Sequence, residues 1–182
     1  MTTDLEDSVI TALEYFLDHG HKEIGLLVGQ EETADATPLQ MDPRQRTFQQ
    51  FLTEKGLYEE RFVSVGQFST ESGYQMMEQL IQALGDDLPT AFFMASDALA
   101  VGALRSLQEH QIAVPDRVSL ISFNDTSIAK YVFPALSTVT VYTEEMGKQA
   151  IQMLRQTFQG NQPSVPYMVK LATKLTIRDS SR

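Results

Sequence analysis

The sequence predicts an α/β protein built on a doubly wound, mostly parallel sheet. Short apolar runs alternate along the chain with amphipathic segments of about ten to fifteen residues, as strands and crossover helices do. The chain has 182 residues, of which 42% are hydrophobic, and that is enough for one well-buried domain. The apolar runs are continuous because strands of a parallel sheet are buried on both faces.

Each element is predicted in turn from its apolar pattern. The predicted segments are a helix at 6–18, a strand at 23–28, a loop at 30–41, a helix at 43–56, a strand at 61–66, a helix at 70–84, a strand at 90–95, a helix at 97–110, a strand at 118–123, a short helical or irregular segment at 128–133, a strand at 138–142, a helix at 144–158 and an extended segment at 167–177. The sequence opens on a helix, where a doubly wound domain would open on a strand. This order favours further chain upstream.

Capping residues set the boundaries of these helices. Asp42 before Pro43 is an N-cap followed by proline at the first helical position. Ser69 or Thr70 is the predicted N-cap of the next helix, and Asp97 of the one after it. Glycines just beyond the apolar faces end several of the helices.

Composition limits the partners that the chain can have. It contains 14 Lys and Arg against 24 Asp and Glu, a net charge of −10. Because DNA binding depends on clustered cations, we do not expect this chain itself to hold DNA. The absence of cysteine excludes disulfides and thiolate metal sites. Neither a secretory signal nor an apolar run of membrane-spanning length occurs, so we expect a cytoplasmic protein with no membrane partner.

Motifs of catalytic and nucleotide-binding sites are also missing from the sequence. No glycine-rich phosphate loop and no G-x-S-x-G serine elbow are present. His19 and His21 have the spacing of a metal pair, but their place at a predicted helix end favours contacts with the last carbonyl groups. We therefore expect neither an enzyme nor a site for a metal or cofactor.

Polar and aromatic residues follow the predicted strands at the sheet edge where open α/β proteins bind ligands. These residues are Arg44, Phe68, Ser96, Asp97 and Asn124. Arginine donates a planar fork of hydrogen bonds, amide and hydroxyl groups bind ligand hydroxyls, and an aromatic face packs against a sugar ring. The set predicts a polyhydroxylated ligand.

Structural roles are open for three of these residues. Asp97 could serve only as a helix cap, and Phe68 could be a hydrophobic staple before a cap. Arg44 could be a solvated residue of the first helical turn. An arginine there opposes the helix dipole, which indicates some other partner for its charge.

Several motifs on these same loops resemble the LacI/GalR family. They are 95–104 (ASDALAVGAL), Val114-Pro115-Asp116, 118–125 (VSLISFND), Gly20-His21, 71–74 (ESGY) and 134–139 (PALSTV). The resemblance runs from about residue 4 to the C-terminus. Within the family, 141–147 (VYTEEMG) and 29–33 (GQEET) resemble galactose operon repressors of Gram-positive bacteria.

The resemblance implies a particular domain organisation. Family members have a DNA-binding headpiece, a hinge helix and two α/β subdomains of the periplasmic-binding-protein-like (type I) fold. Residues 1–137 would be the C-terminal, effector-binding subdomain, 138–160 a strand and helix that normally belong to the N-terminal subdomain, and 161–182 a return strand. The headpiece would be absent. We expect the 138–160 strand and helix to lack their sheet partners.

The resemblance also assigns the five rim residues to an effector site. Arg44 matches the arginine of an R-x-x-G-F motif, with Thr47 in place of the glycine, and Phe68 takes the aromatic position. In the 95–104 motif, Asp97 matches an aspartate of the family, and Ser96 takes the position directly before it. Asn124 stands where many members have an aspartate, which leaves the class of ligand open.

Partners follow from the same resemblance. It implies a sugar effector, operator DNA bound only through the missing headpiece, and a homodimer. The dimer contacts would be Val101 and the segment of Tyr131, Val132 and Phe133, although these apolar residues could instead belong to the core. The alternative function is a periplasmic-type sugar-binding protein that feeds a transporter.

Overall fold

The computed structural model describes residues 1–30, 41–159 and 165–182, which form five α-helices and eight strands. The helices are α1 (Leu5–Asp18), α2 (Pro43–Glu54), α3 (Thr70–Leu84), α4 (Asp97–Glu109) and α5 (Thr143–Phe158). The strands are β1 (Thr2–Thr3), β2 (Ile24–Gly29), β3 (Val63–Gly66), β4 (Ala91–Met94), β5 (Ser119–Asn124), β6 (Ser137–Thr140), β7 (Lys170–Leu171) and β8 (Lys174–Thr176). Most of the predicted loop at 30–41 and most of the 29–33 motif lie outside the described residues, and so does Gly160, the glycine expected to end the predicted 144–158 helix.

Six strands form one sheet in the order β3-β2-β4-β5-β6-β8. The first five run parallel, and β8 pairs antiparallel with β6. Every residue of β2 and β4 is buried, as expected of central strands covered on both faces. The predicted doubly wound, mostly parallel fold is confirmed.

The core between the sheet and its helices is rich in phenylalanine. The largest fully buried side chains include Phe16, Phe48, Phe62, Phe92, Phe93 and Phe123. Burying one such ring contributes about 1.5–3 kcal/mol. Phe93 and Phe123 lie on adjacent strands and meet edge to face, with their ring centroids 6.4 Å apart. The strands β4 and β5, whose ends carry part of the site, are thus anchored directly in the core.

Two glycines bring α3 and α4 close together. A Cβ atom at Gly102 would overlap the carbonyl oxygen of Thr70, and one at Gly73 would overlap the backbone of Leu99. Because neither position has a side chain, the two helix backbones are in direct contact. This contact fixes the first turns of both helices, where the site residues stand.

The 138–160 segment, predicted to lack sheet partners, contains most of the paired strand β6 and the exposed helix α5. That expectation is wrong for the strand, because β6 hydrogen bonds to β5 on one side and to β8 on the other. Its residues Ser137, Thr138 and Val139 are buried, so the strand completes this sheet and needs no other. By contrast, α5 has no buried residue. None of the described helices is long and apolar enough to cross a membrane.

The N-terminal strand pairs with a segment near residue 170 in a small second sheet. Strand β1 pairs in parallel with β7, and an ion pair joins Asp4 to Lys170 with Oδ1 and Nζ 2.8 Å apart. The extended segment predicted at 167–177 therefore contains two short strands, β7 and β8, which belong to different sheets. The two-residue strand β1 precedes the helix on which the chain was predicted to open.

Candidate functional site

A pocket of about 550 Å³ lies at the edge of the sheet where the parallel strands end. The residues that line it are Arg44, Phe68, Thr70, Ser96, Asp97, Ala98, Val101, Asn124, Thr126 and Ile128. The five residues predicted to bind a ligand are all in this lining. Their shared position follows from the topology, since the carboxyl ends of parallel strands meet at one edge.

Three helix N-termini are built into the same edge. Asp42 caps α2, Ser69 caps α3 and Ser96 caps α4, each accepting a hydrogen bond from a backbone N–H of the first turn. The prediction that Asp97 caps α4 is wrong. Ser96 has the extended backbone of a cap, and its Oγ accepts from the Leu99 N–H at 3.2 Å. Asp97 is the first residue of the helix, which leaves its carboxylate available for other contacts.

Arg44 is held on several sides. Its Nε and Nη2 donate to the two carboxylate oxygens of Asp42 at 2.9 and 2.7 Å, and its Nη1 donates to the Ala95 carbonyl at 2.5 Å. The guanidinium carbon lies 4.9 Å from the ring centroid of Phe68 and 5.4 Å from that of Phe123. The side chains of Arg44 and Asp42 are only 13% and 14% exposed. Arg44 is therefore a fixed element of the pocket wall rather than a solvated side chain.

Phe68 lies between that guanidinium and the backbone of β2. A Cβ at Gly29 would overlap the Phe68 ring, so the ring packs flat on the glycine. The staple interpretation requires an apolar side chain five residues later, and Gly73 occupies that place. Phe68 is therefore positioned as an aromatic wall of the pocket.

Asp97 is almost completely buried, with 1% of its surface exposed. One carboxylate oxygen accepts from the hydroxyls of Ser122 at 2.5 Å and Thr138 at 3.0 Å. The other accepts from the backbone N–H of Thr126 at 2.6 Å and from its hydroxyl at 2.8 Å. Both oxygens are thus engaged by the protein. The carboxylate ties β5, β6 and the turn after β5 to the start of α4.

The turn after β5 presents Asn124 to the pocket. Asn124 and Asp125 both have positive φ, 111° and 57°, in the region that β-branched and bulky residues avoid. Asp125 anchors the turn by an ion pair with Arg178 at 2.7 Å and by accepting from the Thr140 hydroxyl at 2.9 Å. These contacts hold Asp125 in place. The Asn124 side chain beside it is exposed at the pocket, where its amide can face a ligand.

The residues predicted at a dimer interface separate into two locations. Val101 lines the pocket and is partly buried. Tyr131 and Phe133 are 83% and 85% exposed, whereas Val132 packs partly against the core. The core alternative therefore does not apply to Tyr131 and Phe133, and their role in a dimer stays a prediction.

The histidines have ordinary structural contacts. His19 Nδ1 lies 2.7 Å from the Tyr15 carbonyl oxygen, as predicted for a helix end. His21 instead contacts the Thr90 hydroxyl and the Arg182 carbonyl oxygen, at 2.9 and 3.1 Å. Within the described ranges, no group of three or more potential metal ligands occurs.

Sequence reasoning missed the supporting residues of the site. Asp42 was predicted only as a helix cap, and the partners of Asp97 were not predicted at all. The spacing of Asp42 and Arg44 in the first helical turn was a usable signal for their pairing. The contacts of Asp97 with Thr126 and Thr138 join residues 29 and 41 positions apart, and no local pattern reveals them.

Comparisons with known proteins agree with this architecture. The periplasmic binding protein-like domain family matches residues 13–181. Over its full length the chain is 49% identical to the HTH-type transcriptional regulator GalR of Streptococcus thermophilus, of which it covers 54%. It spans about half the length of the curated relatives that it matches.

Two solved structures resemble the fold closely. The complex of the transcriptional regulator CelR with cellobiose has a TM-score of 0.85 and 26% identity, over 98% of this chain and 53% of that one. The lac repressor dimer bound to operator and the anti-inducer ONPF has a TM-score of 0.86 and 25% identity, over 98% and 59% of the two chains. The chain belongs to the periplasmic binding protein-like domain family, in the form found in LacI/GalR-type transcriptional regulators.

Proposed function

We propose that this chain is the effector-sensing part of a LacI/GalR-type repressor of carbohydrate genes, and that its effector is galactose or a closely related sugar. The observation that carries the proposal is the pocket wall made by Arg44, Phe68 and Asn124. The wall combines a fixed guanidinium, an aromatic face and an amide, the groups that hold a polyhydroxylated ring. The 49% identity to a GalR protein supports galactose within this class.

The chain forms one wall of the effector cleft in this proposal. Ile151, Leu154 and Phe158 are exposed apolar residues that share one face of α5, at spacings of three and four residues. Apolar residues grouped on one exposed face mark an interaction surface. We propose that the second subdomain of the full-length protein covers this face of α5 and closes the cleft from the other side.

The exposed apolar residues after β5 support a homodimer. Tyr131 and Phe133 stand out from the 3-10 turn and loop, together with the half-exposed Ile128. Exposed aromatic side chains are enriched at interfaces. The lac repressor neighbour is described as a dimer bound to operator. We propose the same assembly here, with operator DNA bound by a headpiece and the regulator acting in the cytoplasm.

The mechanism proposed for the switch is a shift between two arrangements of the subdomains. The sugar favours the arrangement for which it has the higher affinity, and that arrangement changes the spacing of the paired headpieces. The coupling cannot exceed the difference in sugar affinity, typically about 1–3 kcal/mol. No catalytic step is part of this function.

Titration of the full-length protein tests the proposal. Binding of galactose, of galactose-containing disaccharides and of sugar phosphates would be measured by calorimetry, and operator affinity would be measured with and without each sugar. We expect one of the galactose-type sugars to change operator affinity. Arg44→Ala and Phe68→Ala should abolish that response, because each removes one face of the pocket wall. Arg61→Ala is the matched control, since Arg61 is half-exposed and outside the pocket lining.

Two results would contradict this function. An unchanged sugar response in both pocket variants would show that the effector binds elsewhere. Tight sugar binding by a monomer, with no effect on operator affinity, would favour the transporter-linked binding protein instead.

A further inference from the structure

We infer that Asp42 determines which charge class of sugar this cleft accepts, by neutralising Arg44 so that the wall suits an uncharged sugar rather than a phosphorylated one. The inference rests on the proposed function and concerns the same site. It assigns a specificity role to a residue that, from the sequence, is only a helix cap.

The geometry of the pair shows why the charge of Arg44 is largely cancelled. Asp42 Oδ1 accepts from Arg44 Nε at 2.9 Å and from the Arg44 backbone N–H at 2.8 Å, while Oδ2 accepts from Nη2 at 2.7 Å. This is a two-pronged pairing of a carboxylate with a guanidinium, and both side chains are mostly buried. Because the two opposite charges are in direct contact, at 2.7 Å between Nη2 and Oδ2, their fields largely cancel at a ligand.

The other charges of the lining do not favour an anion. Arg44 is the only cation among the ten lining residues, and Asp97 is the only carboxylate. Asp97 accepts four hydrogen bonds, and none of those partners is a cation, so no paired cation offsets its carboxylate beneath the pocket floor. Counting Asp42, the described residues of this wall carry one positive and two negative charges. The N-termini of α2, α3 and α4 at this edge favour an anion, so it is the pairing of Arg44 with Asp42 that disfavours a phosphate group here.

Hydrogen-bonding capacity is left for an uncharged ligand. A guanidinium has five N–H donors. Two are used by the Asp42 carboxylate and one by the Ala95 carbonyl, so two remain on Nη1 and Nη2 among the described contacts. Asn124 adds a donor and an acceptor at the rim. These groups can satisfy sugar hydroxyls without any charge on the ligand.

The experiment measures charge preference directly in the full-length protein. Dissociation constants would be determined for galactose, glucose and fructose and for the 6-phosphate of each, in the wild type, in Asp42→Asn and in Asp116→Asn. Asparagine is a good N-cap and keeps one acceptor oxygen for Arg44, so α2 should start as before. Asp116 is a matched control because it pairs with Arg182 at 2.7 Å outside the pocket lining.

We expect the wild type to bind an uncharged sugar more tightly than its 6-phosphate. In Asp42→Asn, affinity for the 6-phosphate relative to the uncharged sugar should rise by about tenfold or more, since the Asp42 carboxylate no longer neutralises the guanidinium. The ratio should stay constant in Asp116→Asn.

Several outcomes would overturn the inference. A wild type that prefers the 6-phosphate contradicts it without any variant. A normally folded Asp42→Asn protein with an unchanged ratio contradicts it while leaving the sugar-sensing function intact. If the wild type binds none of the six compounds, the inference fails, and the proposed function fails with it when galactose-containing disaccharides do not bind either. Should Asp42→Asn not fold, Asp42→Ser keeps a capping oxygen, removes the same charge and must give the same tenfold change.

Discussion

Replacing Asp97 distinguishes a residue that holds the site together from one that contacts the ligand. Asp97→Ala removes a carboxylate that accepts four hydrogen bonds from Ser122, Thr126 and Thr138 in a buried setting. Its removal leaves a backbone N–H and three hydroxyls without this acceptor; at about 1–3 kcal/mol for each donor that stays unsatisfied, and with some hydroxyls able to rotate to other partners, the cost is about 3–5 kcal/mol. A domain of this size is stable by about 5–15 kcal/mol, so the variant should lose a large part of its stability.

The assay is equilibrium unfolding in urea, followed by thermal unfolding. The expected loss lowers the unfolding midpoint by roughly 6–20 °C, at about 2–4 °C per kcal/mol for a chain of this length. Asp97→Asn should cost less, about 1–2 kcal/mol, because its amide oxygen can face the Thr126 N–H while the two hydroxyls rotate to accept from its amide nitrogen. Asp116→Ala is the control, since an exposed carboxylate should change stability by no more than about 0.5–1 kcal/mol.

Two outcomes would show that Asp97 is not a structural residue. If the free energy of unfolding of Asp97→Ala lies within about 1 kcal/mol of the wild-type value, the carboxylate does not hold the strands and turn together. If Asp97→Asn keeps full stability but loses sugar affinity in the full-length protein, Asp97 contacts the effector directly. If Asp97 is structural, its substitution lowers stability, and sugar affinity falls only because Asn124 is displaced.

Three further predictions concern packing, pH and assembly. Gly102→Ala should destabilise the protein by about 2–4 kcal/mol in urea unfolding, because its Cβ would overlap the Thr70 backbone, whereas Gly147→Ala, which has open space, should cost nothing. The hydrogen bond from Lys170 lowers the pKa of Asp4 from 3.8, so this ion pair stabilises the fold above the unfolded-state pKa. That contribution should disappear as pH falls through the lowered folded-state pKa, and Asp4→Asn should remove this part of the acid dependence of unfolding. Phe133→Asp should convert a full-length dimer to monomer in sedimentation without lowering sugar affinity in the monomer; an unchanged dimer would place the interface elsewhere.

The order of elements was predictable because their signals are local. Asp42 and Pro43 mark the start of α2, and the continuous apolar runs mark β2 and β4 as buried strands. The convergence of the site residues was also predictable, since parallel strands end at one edge and the residues just beyond them must meet. These predictions needed only chain order and periodicity.

Other features depended on contacts between distant segments. Ser96 and Asp97 are both good capping residues, and their division of roles is decided by the partners that Thr126 and Thr138 offer to the Asp97 carboxylate. The pairing of β6 was predicted wrongly because the resemblance assigned that strand to another subdomain. In the fold, β5 and β8 supply hydrogen-bond partners on both of its sides, and buried Val139 adds its side chain to the core.

Asp42 shows why a correct local prediction can still leave a functional role hidden. A helix cap needs only one carboxylate oxygen, and Oδ1 meets that need by accepting from the Arg44 backbone N–H. The remaining acceptor sites then lie next to the side chain of the same arginine, because the cap and the second residue of a helix are adjacent in space. The cap therefore fixes the guanidinium as well as the helix start, so a substitution at Asp42 acts on pocket charge and on helix geometry together. Asn and Ser variants separate the two effects, since both retain a capping oxygen and neither retains the charge.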